Sequence, residues 1–283
     1  MKVHIVCMRW NHDRILPRYS RYLRDGLGWT LSDSPDNAAD VNYYVNYADG
    51  WKRYGAKIQT RLAAHFTHKE ESGGKVRMWD ACADACDLRT AVSLKYAAQL
   101  EPTGKTIIAR APVDDFALRT KYAPNDPVRV GVSGFAASPR KGAVLIQKLA
   151  DSHSPYELVA SGRGWPIPTT IYPWSKMEGF LHSLDIMLCP SLIEAGPGAP
   201  LEALRCGVPV VVPWDVGVMG ELPEIVGIRH YAKGDYDDMR RALEVASGEL
   251  TQVDPQALRA TVSAYTVENW CAAHEKAFRE TFG

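Results

Sequence analysis

Residues 190–212 read PSLIEAGPGAPLEALRCGVPVVV, and their order decides the fold class. An apolar run, IMLC at 186–189, stops at Pro190. A glycine-rich loop follows, then a helical segment with Pro200 at its first position and Gly207 closing it. A second β-rich run, VPVVVP at 208–213, comes next. Apolar strands alternating with helices indicate a parallel sheet covered on both faces. Gly196 and Gly198 let backbone approach a ligand closely. The helix start offers free N–H groups and a positive dipole end, which suit an anion. Glu194 in the loop and Glu202 in the first helical turn are placed to face one ligand. A phosphate at the N–H groups and sugar hydroxyls at the carboxylates fit this arrangement. Each glutamate also has a plain structural reading, Glu202 as a helix-start cap and Glu194 as a solvated loop carboxylate.

The pattern continues outward. Upstream, VRVGVS at 128–133 reads as a strand ending at Gly134, followed by a polar turn and a helix over AVLIQKLA at 143–150. YELVA at 156–160 is a further strand ending in SGRG, a short strand lies at 170–172, and 177–183 is helical. Downstream, 237–246 and most of 255–282 are expected to be helix. The first half repeats the rhythm more weakly. Strands are expected at 2–7, 41–45, 58–64 and 106–109, with helices at 17–25 and at 79–99, the latter interrupted around Leu88 and Arg89. The polar segment 122–127 reads as a linker. The expectation is an α/β chain of two Rossmann-like domains, 1–125 and 126–283. In such sheets ligands bind outside the carboxyl ends of the strands.

The chain has 283 residues with 33 Lys+Arg and 33 Asp+Glu, 46% hydrophobic and 23% charged. This excludes a disordered, collagen-like or coiled-coil chain. No stretch reaches the apolar length of a spanning helix, and the opening MKVHIVCMRW lacks the pattern of a signal peptide. The six cysteines form no CxxC pair, although Cys82 and Cys86 share one helix face. A reducing cytoplasm without a disulfide framework or zinc site is expected. The zero net charge hides an asymmetry. Residues 1–125 carry 19 Lys+Arg against 14 Asp+Glu, a net +5, and residues 126–283 carry 14 against 19, a net −5.

The segment from Glu194 to Glu202, with the following LEALRCGVPVVV, resembles the Glu-x7-Glu signature of retaining family-4-type glycosyltransferases of the GT-B fold. SGRG at 161–164 resembles that family's second nucleotide-side glycine turn, and SPRKG at 138–142 resembles the Lys-Gly turn that holds the donor diphosphate. IARAPVDDF at 108–116 is similar to the segment before the interdomain linker. The resemblance is specific over 128–225 and loose over 1–125. It implies two Rossmann-like domains facing a cleft, with the N-terminal domain binding the acceptor and the last helices crossing back to it. The implied donor is a UDP- or GDP-sugar, with no obligatory cofactor. The resemblance places Glu194 on hydroxyls of the donor sugar, Glu202 on the ribose and Lys141 on the departing diphosphate. Where the family has an Arg after Gly134, this chain has Phe135, and Arg140 stands in as the catalytic cation. Gly134, Gly162, Gly196 and Gly198 line the donor side, with Glu221 from the loop containing WDVG at 214–217. Retention is usually attributed to front-face attack, so Glu194 is not assigned as a nucleophile.

His65 and His68 lie at the end of the strand expected from residue 58, and in similar enzymes such a His reaches the donor sugar, so His65 joins the catalytic candidates. An HxxH pair also raises a metal, but no third ligand is evident. DYD at 235–237 is formally a DxD motif, yet it precedes a helix, where Asp is a capping residue, so no metal is expected. Arg14, Arg18 and Arg21 have i, i+4, i+7 spacing with Tyr22 beside them. They read either as a solvated basic face or as the site of an anionic acceptor, of which hydroxyl-bearing modified DNA is one form. Membrane lipid fits less well, for want of aliphatic residues. Two rivals remain: a nucleotide-sugar epimerase of similar architecture, and a non-catalytic nucleic-acid-binding protein. The sequence leaves oligomeric state open.

Overall fold

The computed structural model describes residues 1–11, 14–54, 60–69, 74–120 and 123–283. In chain order the first elements are β1 (Val3–Val6), α1 (Ile15–Leu27), β2 (Thr30–Ser32), β3 (Val41–Tyr44), α2 (Tyr47–Tyr54), β4 (Arg61–Phe66), α3 (Gly74–Ala85), β5 (Leu88–Ala91), α4 (Leu94–Leu100) and β6 (Thr106–Ile108). Then come β7 (Arg129–Phe135), α5 (Ala143–Asp151), β8 (Glu157–Arg163), β9 (Thr169–Thr170), α6 (Met177–His182), β10 (Ile186–Leu188), α7 (Gly198–Arg205), β11 (Val210–Pro213), β12 (Ile228–Tyr231), α8 (Tyr236–Gly248), α9 (Pro255–Thr261) and α10 (Val267–Phe282). Contacts divide the chain into two compact units, Met1–Pro112 with Tyr265–Gly283, and Val113–Ala264. Among the described residues, no helix is long and apolar enough to cross a membrane.

Each unit has a parallel six-stranded sheet, ordered β2-β1-β3-β4-β5-β6 in the first and β12-β11-β10-β7-β8-β9 in the second. The second order is that of the doubly wound dinucleotide-binding sheet, with its switch point between β7 and β10. Burial explains the uniform apolar strands: Val210, Val211 and Val212 of β11 are fully buried, as are Ile186 and Met187 of β10. Helix α5 turns Leu145, Ile146 and Leu149 into the same core as Val130 and Val132, each such side chain stabilising the fold by about 1.5–3 kcal/mol. In the first unit, Tyr43, Phe66 and Trp79 are buried together with Trp270 and Phe278 of α10.

The structure corrects several expectations. Residues 79–99 are not one interrupted helix, because α3 ends at Ala85 and the supposed break is strand β5, paired with β4 and β6. Strand β4 runs over Arg61–Phe66, and residues 58 and 59 of the expected strand lie outside the described residues. Helix α7 begins at Gly198, so Pro200 is its third residue. Its missing N–H falls among the first-turn groups that have no intrahelical partner, so the helix loses no bond. Segment 113–125 belongs to the second unit. There the Arg119 N–H donates to the Cys206 carbonyl at 2.9 Å and its guanidinium to the Leu184 carbonyl at 2.7 Å. The Asn125 N–H donates to the buried Asp185 carboxylate at 3.2 Å. Tyr122 of the expected linker lies outside the described residues. Recounted on these units, the first carries 19 Lys+Arg against 15 Asp+Glu and the second 14 against 18.

Candidate active site at the carboxyl rim of the second sheet

Two glycines shape the strand ends. Gly134 of β7 and Gly162 of β8 are paired in register, with φ of 114° and 122°. A Cβ on Gly162 would lie 2.0 Å from the Gly134 carbonyl oxygen, so both the left-handed backbone and the close approach require glycine. The indole N–H of Trp165 donates to that same carbonyl at 3.0 Å. Gly162→Ala is expected to lower the melting temperature of the second unit by roughly 10 °C through strain and backbone displacement. Differential scanning calorimetry tests this, and an unchanged melting temperature would contradict it.

The turn after β7 then carries two cations to the switch point. Gly142, with φ of 70°, sits so close to β10 that a Cβ would lie 1.9 Å from the Pro190 carbonyl oxygen. This docks the 3-10 turn Pro139–Lys141 against the 190–198 loop. The Leu192 N–H donates to the Arg140 carbonyl at 2.7 Å, and the Arg140 guanidinium returns a bond to the Ile193 carbonyl at 3.2 Å. The outcome is an ion triad. The Arg140 guanidinium donates to Glu194 Oε1 at 2.6 Å, and the Lys141 ammonium contacts the same oxygen. These side chains are only 27%, 16% and 12% exposed for Arg140, Lys141 and Glu194, so the pairing is little screened.

The rest of the loop is held from the far side. Gly217, with φ of 52°, lies where a Cβ would come within 2.0 Å of the Ala195 carbonyl oxygen, and the Val218 N–H donates to that carbonyl at 3.0 Å. The cap of α7 is Pro197, without a side-chain hydrogen bond. Because Pro197 and Pro200 have no N–H, the donors at this helix start are those of Gly198 and Ala199. Gly196 lies in the loop just before them. Glu202 is the fifth helical residue, not the capping one, and is 4% exposed. The Cys189 thiol is pushed up to about 11 by burial, with Glu194 nearby adding to the effect, so it stays protonated. Glu221 is half-buried at the end of the 3-10 turn Gly217–Glu221.

Apart from Asp235, which belongs to the second unit, the other candidates lie in the first. His65 of β4 is 1% exposed and its Nδ1 is 3.0 Å from Thr90 Oγ1. Burial lowers its pKa to about 3, so it is neutral. Arg14 caps α1, exposed and with no acidic residue in the first turn. Arg18 and Arg21 are half-buried, and the Arg21 guanidinium donates to the Trp10 carbonyl at 2.8 Å. The carbonyl of Tyr22 accepts from Cys271 Sγ at 3.4 Å. Asp235 caps α8, accepting from the Asp238 N–H at 2.9 Å. Sequence reasoning missed the Gly217 wedge and the Trp165 bond. A lone Gly between two valines was the only signal of the first.

No family model matches the chain, and no curated protein does. Solved structures match over the whole length. A sucrose-phosphate synthase from Thermosynechococcus elongatus superimposes with a TM-score of 0.82 at 13% identity, covering 100% of this chain and 99% of that one. The chain has the GT-B fold. Two other GT-B structures agree. The lipopolysaccharide outer core galactosyltransferase WaaB gives 0.72 at 14% identity, with 99% of each chain covered. Anabaena HepE in complex with UDP gives 0.71 at 13% identity, covering 99% of this chain and 100% of that one.

Proposed function

We propose that this chain is a retaining glycosyltransferase that moves a sugar from a UDP- or GDP-linked donor to a hydroxyl acceptor. The observation that carries the reading is the convergence of Arg140, Lys141 and Glu194 on the switch point of the second sheet, beside the uncapped start of α7. Bond cleavage places negative charge on the departing diphosphate. Lys141, Arg140 and the N–H groups of Gly198 and Ala199 are fixed donors for that charge. Glu194 takes hydroxyls of the donor sugar, Glu202 takes the ribose, and Gly134 and Gly162 keep the rim free of side chains. The first unit holds the acceptor, and its basic α1 face favours an anionic one, hydroxyl-bearing DNA included. UDP in the HepE structure supports the donor class.

The test is a melting-temperature screen against UDP- and GDP-sugars. A ligand at a hundred times its Kd adds about 2.7 kcal/mol to the native state, so one nucleotide class is expected to raise the melting temperature by several degrees. A panel with no shift for any member would refute the donor site.

A further inference from the structure

Trp214 immediately follows β11 and is 49% exposed. Its indole is nevertheless fixed. One ring face lies on the imidazole of His230, with centroids 3.8 Å apart and planes 12° from parallel. His230 is buried and bonds the Met219 carbonyl through Nε2 at 2.9 Å. Burial lowers its pKa, so the ring beneath the indole is neutral and the contact is an aromatic stack. The Trp214 N–H donates to the Tyr231 carbonyl at 3.0 Å, and its own carbonyl oxygen lies 1.9 Å from where a Cβ on Gly220 would sit. The result is a rigid apolar plate with one face supported by protein and the other in water. Ordering it for a ligand therefore costs little side-chain entropy.

Polar groups are tied to the residues that adjoin the plate. Asp215 is 62% exposed and paired with Lys233 at 3.4 Å, and Glu224, 46% exposed, lies 3.8 Å from His230 Nδ1. Carboxylates accept from hydroxyls and the ammonium donates to them. A flat apolar face with such groups on neighbouring residues complements a pyranose, which has a C–H face and hydroxyls around its edge. The surrounding unit is net acidic, with 14 Lys+Arg against 18 Asp+Glu, which disfavours a polyanion here. Trp214 also stands on the carboxyl rim of the sheet, one strand from β10, and the following 3-10 turn packs on the Glu194 and Ala195 carbonyls.

We infer that Trp214 is the floor of a saccharide subsite on the second unit, which stacks one uncharged pyranose ring of a glycan and is separate from the acceptor site proposed for the first unit. This rests on the glycosyltransferase reading for its purpose, while the subsite itself is read by a separate measurement. The full chain is titrated with maltotetraose, cellotetraose and chitotetraose, followed by saturation-transfer NMR and by the ring-proton shifts of His230. At least one tetraose is expected to bind with a Kd on the order of 1 mM, to show transfer to one sugar face and to move the His230 resonances. Trp214→Ala weakens that binding by about tenfold and Trp214→Phe by less, with the melting shift induced by the nucleoside diphosphate that binds the unaltered chain unchanged in both. No binding by any of the three sugars, or equal binding by Trp214→Ala, overturns the subsite. If Trp214→Ala does not fold, the Trp214→Phe titration and the His230 shifts still decide. Absence of a melting shift with both UDP and GDP in the unaltered chain counts against the donor site alone.

Discussion

Lys141→Ala lowers kcat/KM for sugar transfer by about 10²–10³-fold, the usual cost of removing one preorganised group from a developing anion. Glu194→Gln lowers it too, but the two substitutions move nucleoside-diphosphate affinity in opposite directions. In the structure Arg140 and Lys141 share the single oxygen Glu194 Oε1. A diphosphate competes with that carboxylate for both cations. Coulomb attraction at about 4 Å and an effective dielectric of about 20 is about 4 kcal/mol, most of it offset by desolvation. Even a surplus of about 1.4 kcal/mol changes affinity tenfold. UDP or GDP therefore binds about tenfold tighter to Glu194→Gln and more weakly to Lys141→Ala. Titration calorimetry with the nucleoside diphosphate, beside kcat and KM for transfer, separates this from a structural role. A collapsed 138–142 turn weakens diphosphate binding in both variants. Intact transfer in either variant would sink the site assignment.

The triad was legible in sequence only as a motif. Arg140 and Glu194 lie 54 residues apart, and neither apolar periodicity nor charge spacing says that they meet. They meet because Gly142 lets the turn settle on Pro190, a fact of backbone approach rather than of side-chain pattern. Strands were legible where they are continuously apolar. VVVP in β11 and IML in β10 stand out because both faces are buried. LRTA in β5 does not, since four residues between two helices that both supply apolar neighbours blend into their period. TLS in β2 fails because it is short and partly exposed at the sheet edge. His65 shows the limit most clearly. Its strand could be read, but its burial depends on Trp270 and Thr90, and the ring of Trp270 comes from the far end of the chain. The charge asymmetry survives regrouping into the compact units because α10, which joins the first, is nearly balanced in charge.

Acid will destabilise the first unit well above the pH at which carboxylates protonate. Four side chains there form one directed chain of hydrogen bonds. The Trp270 carbonyl can only accept, so His274 Nδ1, 2.8 Å away, bears the proton and Nε2 accepts from the Tyr43 hydroxyl at 2.8 Å. The Tyr43 oxygen then accepts from the Thr90 hydroxyl at 2.9 Å, and the Thr90 oxygen from His65 Nδ1–H at 3.0 Å. This ties β3, β4 and β5 to α10 with both imidazoles neutral. A proton on His274 Nε2 would face the Tyr43 hydroxyl and reverse the chain. Burial accordingly lowers the pKa of His65 to about 3 and of His274 to about 4, against about 6.5 in an unfolded chain. Between those limits the unfolded state binds more protons, so stability is full above pH 6.5 and falls as pH falls. Each histidine contributes a slope of about 1.4 kcal/mol per pH unit, which brings the loss to about 4 kcal/mol between pH 7 and pH 5 for the pair. His65→Asn halves that slope, at the cost of a lower plateau near neutrality. Native-state hydrogen exchange of the α10 amides as a function of pH reads the first unit separately from the second, where His230 is shifted in the same direction. Protection of α10 that stays level from pH 7 to pH 5, after correction for intrinsic exchange, would show that the two rings are not held neutral by burial.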